Sequence, residues 1–445
     1  MTFITALLLN VAPAASPPNV ILILADDLAI GDLSCFNDGR SSTPWLDRLV
    51  SESVYFDRAY SGSPVCAPSR AALLTGRYPH RTGSVTLNQL KFPELTRLHL
   101  DETTIADRFK ANGYATGLVG KWHSGPGAAY HPLRRGFDEY AGFNDSTDIK
   151  TYFKYRLDIQ GKYHDFEGPY LTDEFTRRAI DFVRRHRDRP FFLHLAHYAP
   201  HRPLSAPEEI ITRHLAKGLP EKTAKVYAMI EVMDTGIGTL MDELDRLELA
   251  RNTLVIFASD NGPDPLVGER FNLKNRGTKY MINEGGIHVP LLFRWPDTLP
   301  HGRRDTLVQF TDMVPTLVEL CGLRTPPSGK PLDGASYAPL LFDPAAQPRL
   351  PAHRFWQWNR KAPLYTHNAA VREGDWKLVR PYVTRNIPAG ESDAAPRLYD
   401  LGKDPAERRD LAAERPDLRD RLLKKLEAWS REVERDRLSS TDPDR

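Results

Sequence analysis

Four short apolar runs constrain this chain most. Val20 to Leu24, Phe191 to Ala196, Leu254 to Ala258 and Pro290 to Phe293 are strand-length and apolar nearly throughout, as strands covered on both faces must be. Amphipathic helical patterns lie between them. Phe175, Ala179 and Phe182 mark one helix face, with Thr172 as its expected N-cap. Val226, Met229, Ile230, Met233, Ile237, Leu240 and Leu244 mark a longer helix. Strands alternating with helices predict an α/β fold: a large mixed, mostly parallel sheet flanked by helices. Asp26 and Asp27 follow the first run, Asp260 and Asn261 follow the third, and His201 lies just beyond the second. Ligands of open α/β sheets bind outside the carboxyl ends of the strands, so three distant stretches should meet at one edge.

A chain of 445 residues has room for a smaller unit as well. Pro326, Pro327, Pro344, Pro348 and Pro351 mark turns and a linker. Beyond them, Ala369 to Val379 and Arg397 to Leu401 read as short strands. Leu418, Leu422, Leu426, Trp429 and Val433 form one face of a terminal helix, and Ser439 to Arg445 reads as a frayed tail. The expected division is a signal segment 1–16, a main domain 17–350 and a smaller C-terminal α+β subdomain 351–445 with an antiparallel sheet.

Composition narrows the function. Sixty basic against 58 acidic residues leave a net charge of +2, which argues against a nucleic-acid partner. Three cysteines, Cys35, Cys66 and Cys321, cannot build a disulfide framework, and no Cys/His cluster suggests zinc. The apolar run from Phe3 to Val11, followed by Ala12, Ala14 and Ala15, resembles a short secretory signal, although no Lys or Arg precedes it. The expectation is a secreted or periplasmic protein. No later stretch reaches about 20 uncharged apolar residues, so no membrane partner is expected.

Three motifs carry chemistry. Pro64-Val65-Cys66-Ala67-Pro68-Ser69-Arg70 runs on through two small and two apolar residues to Thr75-Gly76, with Arg70 one helical turn from Cys66. Gly113 to His123 ends on Gly120-Lys121-Trp122-His123. Asp26, Asp27, Asp260 and Asn261 offer only hard oxygen ligands, which select calcium or magnesium over zinc. Adjacent carboxylates repel, and a cation between them removes that cost.

The first two motifs resemble the two signatures of the formylglycine-dependent sulfatase family. The resemblance extends over nearly the whole chain after residue 18. It includes Ala199-Pro200-His201-Arg202-Pro203-Leu204, Lys279 before Glu284-Gly285-Gly286, Gly374-Asp375-Trp376-Lys377-Leu378 and Leu398-Tyr399-Asp400-Leu401. It implies an alkaline phosphatase-like fold and hydrolysis of sulfate monoesters. Cys66 would be oxidised to formylglycine by a maturation enzyme, and one hydroxyl of the hydrated aldehyde would attack sulfur. Arg70 would stabilise the diol. Lys121 would contact diol and sulfate, His123 would hydrogen-bond the diol, Lys279 would bind sulfate, and His201 would serve the leaving alcohol. Calcium, with magnesium as the alternative, would be held by Asp26, Asp27, Asp260, Asn261 and residue 66. Departures occur at Ala29, Ser124 and His288, none an expected ligand.

The substrate would be a sulfated small molecule or glycan, with a carbohydrate favoured. Lys150, Lys154 and Arg156 could line the pocket mouth. Trp356, Trp358 and Tyr365 fit either stacking on sugars or packing between domains. His194 and His197 read as packing or substrate-subsite residues. The rival functions are a phosphodiester or phosphonate ester hydrolase and an inactive glycan-binding homologue.

Overall fold

The computed structural model describes residues 17–440 except 88, 268–269, 325–328 and 383–391. The expected signal segment, Pro326, Pro327 and the last five residues of the expected tail lie outside the described residues. An 11-stranded sheet forms the centre. Thr253–Ser259, Asn19–Ala25, Phe191–Ala196, Ala115–Lys121 and Glu139–Phe143 lie side by side and all parallel. Antiparallel Leu291–Arg294 extends one side. The hairpin Lys154–Ile159 and Lys162–Glu167 extends the other.

The apolar run at 20–24 shows why the sheet is covered on both faces. Ile21, Ile23 and Ala25 belong to one core with Phe175, Phe182, Met229 and Met233, from the helices Leu171–His186 and Glu221–Arg246. Val20, Leu22 and Leu24 point the other way, into a core with Phe109, Leu73, Val314 and Leu317. Alternation of Cβ atoms along one strand thus feeds two cores.

Two local expectations are corrected. Thr172 does not cap its helix, which starts at Leu171 with Tyr170 at the N-cap and no side-chain cap. The Leu171 N–H donates to Tyr152 O at 2.8 Å, and the Tyr170 ring stacks on Tyr152 at 5.4 Å. This anchoring fixes the helix start and leaves Thr172 inside the first turn. The fourth apolar run forms a strand from Leu291, because Pro290 has no N–H to give a ladder.

A second sheet runs His353–Gln357, Ala369–Glu373, Trp376–Arg380, Arg397–Asp400, antiparallel throughout. The helix Pro416–Leu438 packs on it through Leu418, Leu422, Leu426, Trp429 and Val433. Among the described residues, no helix is long and apolar enough to cross a membrane.

Candidate active site

Strand register brings the site together. Ala25 pairs with Ser259, and Leu24 with Ala196, which in turn pairs with Gly120. The residues that follow, Asp26, Asp27, Asp260, Asn261, Tyr198, His201 and Lys121, therefore emerge at one edge. Gly120 permits this. Its φ is 112°, and a Cβ there would lie 1.9 Å from the Ala196 carbonyl oxygen. Lys121 and His123 are two residues apart and face the site, whereas Trp122 turns into the core and donates to Tyr130 O at 2.9 Å.

Cys66 opens the helix Cys66–Thr75, every residue of which is buried. Gly76 ends that helix in the left-handed conformation (φ 72°), a role in which a Cβ is unfavourable. The Cys66 thiol donates to Asp26 Oδ1 at 3.4 Å. Arg70, one turn on, donates through Nε to Asp260 Oδ2 at 2.9 Å and through Nη1 to Lys121 O at 3.1 Å. Its Nη2 pairs with Asp260 at 2.7 Å and lies 3.4 Å from Asp26.

The two ammonium groups lie on the two adjacent carboxylates. Lys121 Nζ donates to Asp26 Oδ2 at 2.5 Å, and Lys279 Nζ to Asp27 at 2.7 and 2.8 Å. His201 Nε2 is 3.7 Å from Asp27 Oδ2, and its Nδ1 is 2.7 Å from Arg202 O. The ring of Tyr198 stacks on His201 at 4.6 Å and lies 5.3 Å from Lys121 Nζ. Sequence reasoning missed Tyr198. Its position three residues before His201 was the available signal.

Burial and charge oppose each other here. Burial raises the pKa of Asp26, but Lys121, His201, Arg70 and Lys279 outweigh it and hold the carboxyl ionised. For Asp260 burial wins, helped by Asp26, and the group is pushed up to about 7. Burial and then Asp26 raise the Cys66 thiol, so it stays neutral. Burial and then Lys279 lower His201 to about 4; burial and then Lys121 lower His123.

Ligand atoms of Asp26, Asp27, Cys66 and His201 lie within 4.8 Å of one another. Asn261 Nδ2 donates to Asp27 Oδ1 at 2.7 Å, while its buried Oδ1 has no protein partner. An orphaned amide oxygen beside clustered carboxylates fits a hard divalent cation. Every expected site residue is thus brought together, the Asp260 carboxylate being shared between the Asp27 N–H (3.3 Å) and Arg70.

Above them opens a cavity of 410 Å³, walled by Leu87, Asp145, Lys150, Arg202 and Tyr280. Lys154 and Arg156 are instead paired with Glu167 (3.0 Å) and Asp165 (2.9 Å). Trp356, Trp358 and Tyr365 pack between domains. Trp356 donates to Ser61 O, Trp358 lies against Tyr280, and the Tyr365 ring lies 5.5 Å from that of His80. His194 Nδ1 donates to Leu22 O at 3.1 Å, and His194 and His197 are buried in the sheet region rather than in the cavity. His288 stacks on Tyr60 and contacts Asp57 O, away from the cavity.

A cation-lined cavity over an oxygen-ligand cluster, at the carboxyl edge of a mostly parallel sheet, defines a hydrolase of anionic esters. The sulfatase profile matches residues 18–323, and the profile described as N-sulphoglucosamine sulphohydrolase, C-terminal, matches residues 277–432. Human N-acetylgalactosamine-6-sulfatase is 31% identical over 440 residues, covering 89% of this chain and 81% of its own. Human arylsulfatase A is 31% identical over 442 residues, covering 88% and 83%. The solved structure of Ps i-CgsB in complex with k-i-k-neocarrahexaose matches with a TM-score of 0.80 at 30% identity over 93% of both chains. This chain belongs to the sulfatase family and is a sulfuric ester hydrolase, with the alkaline phosphatase-like fold expected from its sequence.

Arg70 is the structural keystone of the buried cluster. Arg70→Ala should destabilise the protein by about 3–5 kcal/mol, because Asp260 loses its buried partner. Adding Asp260→Asn should recover part of that loss. Denaturant titration of both variants measures it; equal stability of Arg70→Ala and wild type would contradict the argument.

Proposed function

We propose that this protein removes sulfate from carbohydrate sulfate monoesters with a formylglycine made from Cys66 and a bound calcium ion. The observation that carries the reading is the ring of Arg70, Lys121, Lys279 and His201 around the Cys66 side chain, at the base of an open cavity. The carbohydrate follows from the relatives: one is named for N-acetylgalactosamine 6-sulfate, and another was solved with a neocarrahexaose. A phosphonate monoester hydrolase shares the fold at 21% identity, which supports no shared substrate.

Formylglycine at residue 66 would supply a hydroxyl nucleophile, and Asp26, Asp27, Asp260, Asn261 and residue 66 would hold a divalent ion that would supply Lewis-acid polarisation of the ester. The protein's own groups do the rest. Lys121 and Lys279 meet negative charge on the sulfuryl group, and Arg70 fixes the nucleophile's surroundings. His123 faces the cavity with Nδ1 unpartnered and Nε2 3.3 Å from Leu87 O. The Arg202 carbonyl keeps a proton on His201 Nδ1 and aims Nε2 at the cavity. An arriving anion raises the lowered His201 pKa again, so the imidazole can pass a proton to the departing alcohol.

We further propose export with removal of residues 1–16 and maturation by a formylglycine-generating enzyme. The apolar start of the chain and the intact Cys66 signature support both. Peptide mass spectrometry of active, exported protein should find formylglycine at 66 and a trimmed N-terminus. Full activity with unmodified Cys66, or an intact Met1, would overturn the corresponding part.

Calcium should raise the unfolding temperature, a hundredfold excess over Kd contributing about 2.7 kcal/mol. Chelation should reverse the shift and abolish activity, and Asp260→Ala should blunt both responses. Stoichiometric zinc by elemental analysis would refute the assignment.

Charge grows on the departing oxygen most for a poor leaving group. His201→Ala should therefore slow a sugar sulfate far more than an aryl sulfate. Lys121→Ala should slow both by about a hundredfold, since each carries the same sulfuryl group. Comparison of kcat/KM across leaving groups decides; equal losses from His201→Ala would remove its donor role.

A further inference from the structure

Lys279 sits on a segment with no helix or strand of its own between Leu273 and Asn283. The turn is tight. Gly277 is left-handed (φ 84°), and a Cβ on Gly285 would lie 2.0 Å from the Gly277 carbonyl oxygen. The main domain holds only one side of it, where the Lys279 and Tyr280 N–H groups donate to Pro263 O and Pro64 O, both at 2.9 Å.

The C-terminal subdomain holds the other side. Asn368 brackets the turn: its Oδ1 accepts from the Ile282 N–H at 3.2 Å, and its Nδ2 donates to Tyr280 O at 2.8 Å. The Glu407 carboxylate accepts from the Glu284 N–H at 2.9 Å and Asn283 Nδ2 at 3.0 Å, and its carbonyl accepts from Arg276 at 2.8 Å. Lys377 Nζ bridges Glu284 (2.8 Å) and Glu407 (3.0 Å), which keeps two close carboxylates from repelling. Asn368, Lys377 and Glu407 are each fully buried. The grip spans both ends of the turn and its middle, while its tip carries the ammonium group 2.7 Å from Asp27.

We propose that Asn368 and Glu407 are positioning residues that act through this turn and set the Lys279 ammonium against the transferred sulfate. The proposal rests on the reading of Lys279 as a sulfate contact. A misplacement of about 1 Å can cost on the order of a hundredfold in rate. The small sheet is thereby a working part of the active site, although none of its strands reaches the cavity floor.

The test is a double-mutant cycle on the mature, calcium-loaded enzyme with an aryl sulfate. Asn368→Ala alone should lower kcat by about 10- to 100-fold, with KM changed less than about threefold. In a Lys279→Ala background the same substitution should cost less than about twofold, since its route is already cut. A role in stability alone would instead give equal losses in both backgrounds, and that result overturns the proposal while leaving Lys279 as a sulfate contact. Full activity of Lys279→Ala would remove the sulfate reading and the proposal with it. Unfolding temperature checks that each variant is folded. If Asn368→Ala does not fold, Glu407→Gln, which keeps the side-chain volume and the carbonyl bond to Arg276, enters the same cycle with the same outcomes.

Discussion

Two adjacent carboxylates, Asp26 and Asp27, buried at the end of a central strand, set the terms for the rest of the site. Left alone, such a pair would repel and take up protons. With Asp260 they make three buried carboxylates, met by three buried cations in Arg70, Lys121 and Lys279. The cluster is therefore balanced by its own side chains, and a bound divalent cation would bring it to a net positive charge. An anionic ester is then a matched guest, whereas a neutral ester has nothing to neutralise. Each cation comes from a different segment: a helix start, a strand end and a turn. Loss of one takes from a buried carboxylate its nearest cation, which ties the chemistry to stability.

The strand order explains why those segments meet. Parallel strands all present their carboxyl ends to one edge, so residues hundreds of positions apart converge without long detours. Gly120 shows the local requirement, since only a residue without Cβ lets its strand close against Ala196 just before Lys121 turns toward the site. The Lys-Trp-His triplet then divides its labour by alternation: two residues face the cavity and the indole anchors the strand end in the core.

Much of this was legible in the sequence, for a physical reason. Buried parallel strands need unbroken apolar runs, and site residues follow them directly, so Asp26, Asp27, Asp260 and Asn261 could be placed from pattern alone. The signature around Cys66 carries its own helix stop in Gly76. What was not legible depends on long-range hydrogen bonds. Asn368 reaches Ile282 across 86 positions and Glu407 reaches Glu284 across 123, and neither sits in a pattern that announces it. The hairpin Lys154–Ile159 and Lys162–Glu167 was missed because its second strand is almost wholly exposed, and because the alternation of Tyr155 and Leu157, which reach the core, with charged residues is short. Thr172 failed as a cap because tertiary packing of Tyr170 on Tyr152 fixed the helix start two residues earlier than local chemistry prefers.

The environment of Cys66 also bears on which nucleophile the site is built for. A cysteine at a helix N-terminus, with two lysines close by, has the features that lower a thiol's pKa in enzymes that use thiolates. Here burial and the Asp26 carboxylate, 3.4 Å from the sulfur, outweigh them and keep the thiol protonated. The same carboxylate that would help hold a metal thus opposes a thiolate at position 66. A hydroxyl group could take the same place. It could donate to Asp26 as the thiol does, and it would sit among the same cations. The side chains around residue 66 therefore hold an unmodified cysteine as a neutral thiol, with burial the larger cause and Asp26 the second.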